Sequence, residues 1–179
     1  MTRKQYNDQV ALALEYYAKA SIVLTDEEKS NVEIADFGKN NLDEIGLQLV
    51  TYINTERVCA KEMVLLPGQT CPEHKHIPTG SMQGKEETFR CRYGKVYLYV
   101  EGEGEQEKIQ AKMPDTKVAV FHEIVLNPGD QHTLMPGTKH WFQGGENGAV
   151  ISEFSTRSTD ETDEFTDERL VRMPQVEED

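Results

Sequence analysis

Two histidines separated by one residue, His74 and His76, open the stretch HKHIPTGSMQGKEETFRCRYG. Side chains two residues apart on a β-strand point to the same face, so this spacing aims two imidazoles at one point, as a metal requires of neighbouring ligands. Of the two glutamates that follow, Glu87 alternates with a phenylalanine and a cysteine, whereas Glu86 alternates with threonine and arginine. The pattern indicates that Glu87 is the carboxylate that faces inward.

A third imidazole is available in GDQHTLMPGTKHWFQGG, which contains His132 and His140. His140 follows a Pro-Gly turn and begins a new strand, a position that can bring it back beside the first pair. His132 lies in the preceding strand and can face the same cavity without ligating. His122, in AVFHEIVL, has no partner in the sequence, and we interpret it as a structural histidine.

Composition limits the class of protein. The 179 residues suffice for one domain with a sizeable core, and the net charge of −13 argues against nucleic acid as a partner. No apolar run approaches the roughly 18 residues that cross a membrane, and the N-terminus MTRKQYNDQV lacks a secretory signal. Three cysteines without CxxC spacing are typical of reduced thiols. We expect a cytoplasmic protein with no membrane partner and a small neutral or cationic ligand.

The elements that must position these histidines are mainly strands. From about residue 47, short segments rich in Val, Ile, Tyr and Phe alternate with Gly, Pro and Asn clusters, which predicts an antiparallel sandwich or barrel. These segments are LQLVTYI, VCAKEMVLL, EETFRCRY, KVYLYVEG, VAVFHEIVL and AVISEFS.

Both ends of the chain differ from this strand-rich middle. Helical spacing of apolar residues from Val10 to Ala18 predicts an N-terminal helix, and Thr25 with Glu28 forms a candidate capping box for a second, short one. The last residues are strongly acidic, and we expect a solvated tail, with a lid over a site as the alternative.

Here the chain resembles the cupins. GQTCPEHKH followed by EETFRCRYG is similar to the first cupin motif, although the gap between His76 and Glu87 is longer than usual, and GDQHTLMPGTKH is similar to the second. The resemblance covers roughly residues 58 to 155. It implies an all-β, jelly-roll-like cupin barrel at residues 46–155, preceded by an N-terminal helical extension at 1–45 and followed by the acidic segment at 156–179, in one domain.

A narrower resemblance is to the D-lyxose isomerase branch of the cupins, through the insertion IPTGSMQGKEE and the tail SEFSTRSTDETDEFTD. In that family a divalent metal, usually manganese, is held by three histidines and one glutamate. The resemblance implies His74, His76, Glu87 and His140 as ligands, while Fe²⁺, Co²⁺, Ni²⁺ and Zn²⁺ also suit such mixed ligation. It further implies isomerisation of D-lyxose to D-xylulose, with D-mannose to D-fructose as a side reaction, and a homodimer.

An aldose–ketose isomerase needs a base that moves a proton between C1 and C2 of the sugar. Glu153, on the strand expected shortly after His140, is our candidate, although the alternation of AVISEFS leaves its direction undecided. Lys61 is a candidate acid partner or sugar ligand. It alternates with apolar residues, but so does its neighbour Glu62, and a surface lysine is the alternative.

Three residues are candidates for binding sugar. Asp163 and Asp167 would reach sugar hydroxyls if the acidic segment folds over the barrel mouth; otherwise both are solvated. Trp141 could stack on a sugar face, with a place in the core as the alternative.

Three other functions fit the same residues. A cupin phosphosugar isomerase would need a basic phosphate pocket, for which Arg90, Arg92 and Lys139 are available. A non-haem iron dioxygenase could use the same four ligands and would consume oxygen. A non-enzymatic sugar-binding cupin would bind the sugar without hydrogen exchange at C2.

Overall fold

The computed structural model describes residues 1–173 and 175–177. Two helices precede a set of nine strands. Their bounds are α1 (Arg3–Lys19), α2 (Asp26–Ser30), β1 (Glu33–Ala35), β2 (Leu47–Asn54), β3 (Cys59–Leu65), β4 (Thr70–Lys75), β5 (Glu87–Val100), β6 (His122–Leu126), β7 (Gln131–Leu134), β8 (His140–Ser155) and β9 (Glu164–Phe165), with single 3₁₀ turns at Gln106–Lys108 and Asp160–Thr162.

Both helices begin at capping boxes. Thr2 caps α1 with Gln5, and Thr25 caps α2 with Glu28, so the predicted second box is confirmed. Each box satisfies backbone N–H groups that the first turn leaves without partners. The face of α1 that includes Ala13 then packs against the outside of the sheet.

The strands form one antiparallel sheet that curls into a barrel. Its main path runs β1-β2-β3-β8-β4-β9, while β5 pairs with β6, β7 and β8. The two long strands, β5 and β8, pair along most of their length and join the two halves of the barrel. The predicted all-β cupin class with N-terminal helices is confirmed.

Strand β3 explains how two charged neighbours can both be buried. Lys61 points into the barrel, where it lies opposite Glu153 of β8. Glu62 points outward, yet it is only 6% exposed because α1 covers that face, and it accepts a hydrogen bond from the Ser152 hydroxyl. Both faces of this strand are therefore interior, one in the barrel and one beneath the helix.

The predicted strands EETFRCRY and KVYLYVEG are one strand, β5, interrupted by bulges near Tyr93 and Gly94. Gly94 has a φ of +70°, and a Cβ there would lie 2.0 Å from the carbonyl oxygen of Gly148 on β8. The bulges shift the inward parity, so that Phe89 and Leu98 both face the same core. Gly94, which separates the two predicted strands in the sequence, therefore marks a bulge within one strand and not a turn between two.

The acidic residues 156–173, here called the C-terminal segment, are not a solvated tail. Ser158, Asp167 and Leu170 are buried, and β9 pairs with β4. The segment lies across the open end of the barrel, because Asp160, Asp163 and other side chains from it line the central cavity. The expectation of a solvated tail is therefore wrong for these residues.

The N-terminal extension also contributes a strand to the sheet. Its strand β1 pairs with β2 and widens the sheet.

All three cysteines are buried and free. Within residues 1–173 and 175–177, neither helix has the length and apolar character needed to cross a membrane.

Candidate metal centre and active-site cavity

Three histidines meet inside the barrel. His74 on β4 lies directly opposite His140, the first residue of β8, and His76 follows just after β4. Their ring centroids are 4.3 to 5.4 Å apart, and one ligand nitrogen from each lies within 4.8 Å of the others. This separation allows a single ion to bind all three imidazoles.

The Nδ1 atom of each histidine has its own hydrogen-bond acceptor. In His74 and His140 it bonds to the backbone carbonyl two residues earlier, at 2.8 and 2.9 Å, and in His76 to Oδ1 of Asp163 at 2.6 Å. A carbonyl or carboxylate oxygen can only accept here, so Nδ1 carries a proton and Nε2 is left as the atom that can bind a metal. Such outer partners fix the tautomer of metal-binding histidines.

Glu87 completes the cluster. Its Oε1 lies 3.1 Å from Nε2 of His76 and 3.0 Å from Nε2 of His140. The His140 nitrogen is buried and, despite this distance, has no hydrogen-bond partner with suitable geometry among the described residues. A buried lone pair without a donor is costly, and a cation between these atoms would satisfy it. The residues therefore fit a divalent metal.

Local electrostatics agree with that fit. Burial and the neighbouring imidazoles lower the pKa of His74 well below its usual value, which keeps it neutral. Burial alone would lower the pKa of His76, but the charge of Glu87 and the hydrogen bonds to Asp163 and Glu87 together outweigh it and raise the pKa to about 9. Burial likewise opposes ionisation of Glu87, yet Lys85 and His76 hold its pKa well below the usual range. The cluster attracts positive charge.

A second group of charges lies next to the histidines. The ammonium of Lys85 is 2.8 Å from Oε2 of Glu87, 3.1 Å from Glu153 and 3.2 Å from Asp160. Lys61 is 2.5 Å from Asp160 and 3.9 Å from Glu153. Although burial opposes the charge of Asp160, Lys85 and Lys61 hold its pKa well below the usual value. Glu153 thus faces inward, between two lysines.

These charges occupy one side of a cavity whose other wall is apolar. The free volume is about 30 Å³, enough for one or two waters. The apolar wall consists of Phe37, Leu47, Leu49, Met63, Cys71, Phe89, Phe142 and Phe165.

The structure places two of the predicted sugar ligands, Trp141 and Asp167, outside the cavity. Trp141 is fully buried on the other side of the sheet, stacked on Tyr99 with centroids 4.0 Å apart, and its Nε1 donates to the carbonyl of Val120. The side chain of Asp167 is likewise fully buried, and it accepts hydrogen bonds from Arg169 and from the backbone of Lys117. Neither side chain lines the cavity.

Of the remaining residues singled out in the sequence, Asp163 lies at the cavity, whereas His132 and His122 lie away from it. Asp163 lines the cavity, but its carboxylate is bonded to His76. His132 is half-buried opposite Phe89 and does not line the cavity. His122 is exposed, and its Nδ1 bonds to the Glu103 carbonyl at 2.9 Å.

Sequence reasoning missed three charged residues of the cavity: Lys85, Asp160 and Arg172. Lys85 carried a usable signal, because it shares strand parity with Glu87. Asp160 and Arg172 lie in the C-terminal segment, whose irregular backbone has no periodicity from which to infer direction.

Comparison with known proteins supports the sequence resemblance. The family model for D-lyxose isomerase matches residues 19–179. The D-lyxose/D-mannose isomerase of Thermosediminibacter oceani is 55% identical over 177 residues, covering 97% of this chain and 96% of that protein. The D-lyxose ketol-isomerase of Cohnella laeviribosi is 58% identical over 177 residues, covering 97% and 95%.

Among solved structures, the ligand-free L-ribose isomerase of Cellulomonas parahominis superposes with a TM-score of 0.77. The sequences are 16% identical, with 99% of this chain and 98% of the other covered, so this likeness supports the fold alone. The family match over most of the length, together with relatives above half identity, confirms the resemblance: the chain belongs to the D-lyxose isomerase family.

Proposed function

We propose that this protein is a metal-dependent aldose–ketose isomerase that converts D-lyxose to D-xylulose, and D-mannose to D-fructose as a second reaction. The observation that carries the proposal is that three imidazoles converge beside Glu87, and that a separate inward carboxylate, Glu153, lines the same cavity as Glu87. Two relatives above half identity are named for D-lyxose, and one of them also for D-mannose.

The proposed ligands are His74, His76, Glu87 and His140. Three neutral imidazoles and one carboxylate leave a divalent ion with a net charge of about +1 and with coordination positions free for sugar oxygens. The ion, when bound, would polarise the sugar carbonyl and stabilise the negative charge that develops on oxygen. Manganese is our proposed ion, and Fe²⁺, Co²⁺, Ni²⁺ and Zn²⁺ are alternatives to be tested beside it.

Glu153 is the proposed base that removes the proton from C2 of the aldose and returns it to C1. Its Oε1 lies 3.1 Å from the Lys85 ammonium, which can hold the carboxylate in one orientation. Lys61, 3.9 Å from the same oxygen, is placed to donate a hydrogen bond to a sugar hydroxyl or to balance the charge of the base.

The phosphosugar alternative is not favoured. Arg92 donates to the Ser152 hydroxyl on the outer face of the sheet, and Arg90 donates to Gln131 beside it. Within the part of the chain that the structure describes, neither guanidinium lines the central cavity. The cations that do line it, Lys61, Lys85 and Arg172, are all engaged by Asp160.

The function can be tested by incubating manganese-loaded protein with D-lyxose and with D-mannose in deuterated water. We expect D-xylulose and D-fructose, deuterium at C1 of the ketose, and no oxygen uptake. Turnover with oxygen consumption would favour the dioxygenase, and sugar binding without any product would favour a binding protein. Ketose formed without deuterium would contradict solvent-exchanging proton transfer but not isomerisation.

We also propose a homodimer in the cytoplasm. Four exposed apolar side chains support a self-association surface on or near the outer face of the sheet: Tyr52, Ile53, Val58 and Phe154. Ala60 of β3 pairs directly with Phe154 of β8, so β3 and β8 form one continuous surface at this end of the sheet. Sedimentation of the wild type and of Phe154→Glu tests this, and a monomeric wild type would contradict it.

A further inference from the structure

The C-terminal segment is aligned with the histidines by strand register. Strand β9 pairs antiparallel with β4, with His74 opposite Phe165 and Lys75 opposite Glu164. One more step in this register sets Asp163 opposite His76. Thr166, the residue after β9, further attaches the C-terminal segment to the barrel, because its N–H donates to the Glu73 carbonyl at 3.1 Å.

Among the three histidines, His76 differs in where its orienting partner comes from. His74 and His140 each bond to a carbonyl two residues earlier in the same stretch of chain. His76 instead donates from Nδ1 to Asp163, which is 87 residues away in sequence. The Asp163 side chain is 4% exposed, so water cannot readily replace it. The orientation of His76 therefore depends on the docked C-terminal segment.

The docked segment also forms part of the cavity wall. Its Asp160 binds the ammonium groups of Lys61 and Lys85 across the barrel mouth, at 2.5 and 3.2 Å. With about 30 Å³ of free volume, the cavity in this conformation is too small for a pentose of ten non-hydrogen atoms. Side chains that line the cavity therefore have to move before a sugar enters, and those of the docked segment are among them.

We propose that Asp163 is the positioning residue of His76, so that docking of the C-terminal segment and binding of the metal stabilise each other. The inference rests on the proposed metal site, and it replaces the sugar-binding role predicted for Asp163. Reciprocity follows from thermodynamic linkage: if docking strengthens metal binding, the metal strengthens docking by the same factor.

The test uses the full chain and three variants. Asp163→Ala removes the acceptor, whereas Asp163→Asn keeps an oxygen that can accept from Nδ1 but loses the charge. Glu161→Gln is the matched control, because Glu161 lies two residues away in the same segment and is exposed. Two quantities are measured: affinity for Mn²⁺ and Co²⁺ by chelator competition, and hydrogen exchange of residues 156–173 with and without metal.

We expect Asp163→Ala to weaken metal binding about 10–100-fold, as is typical for loss of a partner that orients a ligand histidine. Asp163→Asn should lose less metal affinity, and Glu161→Gln should bind the metal as tightly as the wild type. Metal should slow hydrogen exchange of the segment in the wild type and in Glu161→Gln. That protection should disappear in Asp163→Ala. The visible spectrum of bound Co²⁺ should also change in Asp163→Ala, because the geometry of one ligand changes.

Equal metal affinity in the wild type and both Asp163 variants would overturn this inference and leave the proposed function standing. Metal binding that leaves exchange of the segment unchanged in the wild type would overturn the linkage. A wild type that binds no ion would overturn the proposed function as well, so the two failures are distinguishable.

Discussion

Removing the ammonium of Lys85 should destabilise the metal-free protein strongly. Its side chain is 3% exposed and lies within 3.2 Å of three carboxylates. Removing one partner from a buried ion pair costs about 3–5 kcal/mol, because the remaining charge stays buried without compensation. Methionine retains most of the stem volume, so in Lys85→Met the lost charge dominates.

The charges that surround Lys85 decide where in the range of about 3–5 kcal/mol the loss of stability falls. Lys61 still compensates Asp160 at 2.5 Å and, more weakly, Glu153 at 3.9 Å. Glu87 retains only the two histidines. We therefore expect the lower end, about 3 kcal/mol in the free energy of unfolding. For a chain of this size that corresponds to a fall of about 6–12 °C in Tm.

The assay is urea unfolding of metal-free wild type, Lys85→Met and the control Lys4→Met. Lys4 pairs with Asp8 on the surface, where its side chain is 83% exposed, and its loss should not change stability measurably. A loss below about 1 kcal/mol in Lys85→Met would refute the reasoning, because it would match an ordinary surface change and not a broken buried pair. Adding manganese should reduce the difference between wild type and Lys85→Met, since the ion compensates Glu87.

Three further substitutions test separate parts of the account. Glu153→Gln should keep its metal content but lose about 100-fold or more in turnover, as for loss of a general base; unchanged turnover would remove Glu153 from the mechanism. Trp141→Phe should lower stability by about 1 kcal/mol through loss of the hydrogen bond to Val120, with KM for D-lyxose unchanged; a raised KM at unchanged stability would restore its predicted sugar contact. Gly94→Ala should cost about 2–4 kcal/mol in thermal denaturation, because its Cβ would collide with the Gly148 carbonyl; an unchanged Tm would show that the bulge adapts freely.

The parts of the site on regular strands could be read from the sequence. Alternation placed Glu87 inward and Glu86 outward, and the structure has Glu87 2% exposed and Glu86 exposed. The same alternation would have found Lys85, two residues before Glu87. It could not decide Glu153, because one face of β8 is covered by α1 and neither set of alternating residues is clearly polar. Pairing with Lys61 across the sheet decides it.

The parts contributed by irregular chain could not be read in this way. Residues 156–173 have the composition of a solvated tail, yet the carboxylate of Asp160 meets the buried ammonium groups of Lys61 and Lys85. Only the folded barrel brings Lys61 and Lys85 together at the place where Asp160 binds them. Trp141 lies outside the cavity for another reason: adjacent strand residues face opposite sides, so a tryptophan next to His140 points away from the histidine cluster.

The central claim is that His74, His76, Glu87 and His140 together bind one metal ion. It is tested most directly by measuring manganese content after loading and gel filtration, for the wild type and for an alanine substitution at each of these four positions. We predict one ion per wild-type chain and loss of the retained ion in each variant, while the folded structure persists. A wild type that retains no ion, or variants that retain as much as the wild type, would contradict the account.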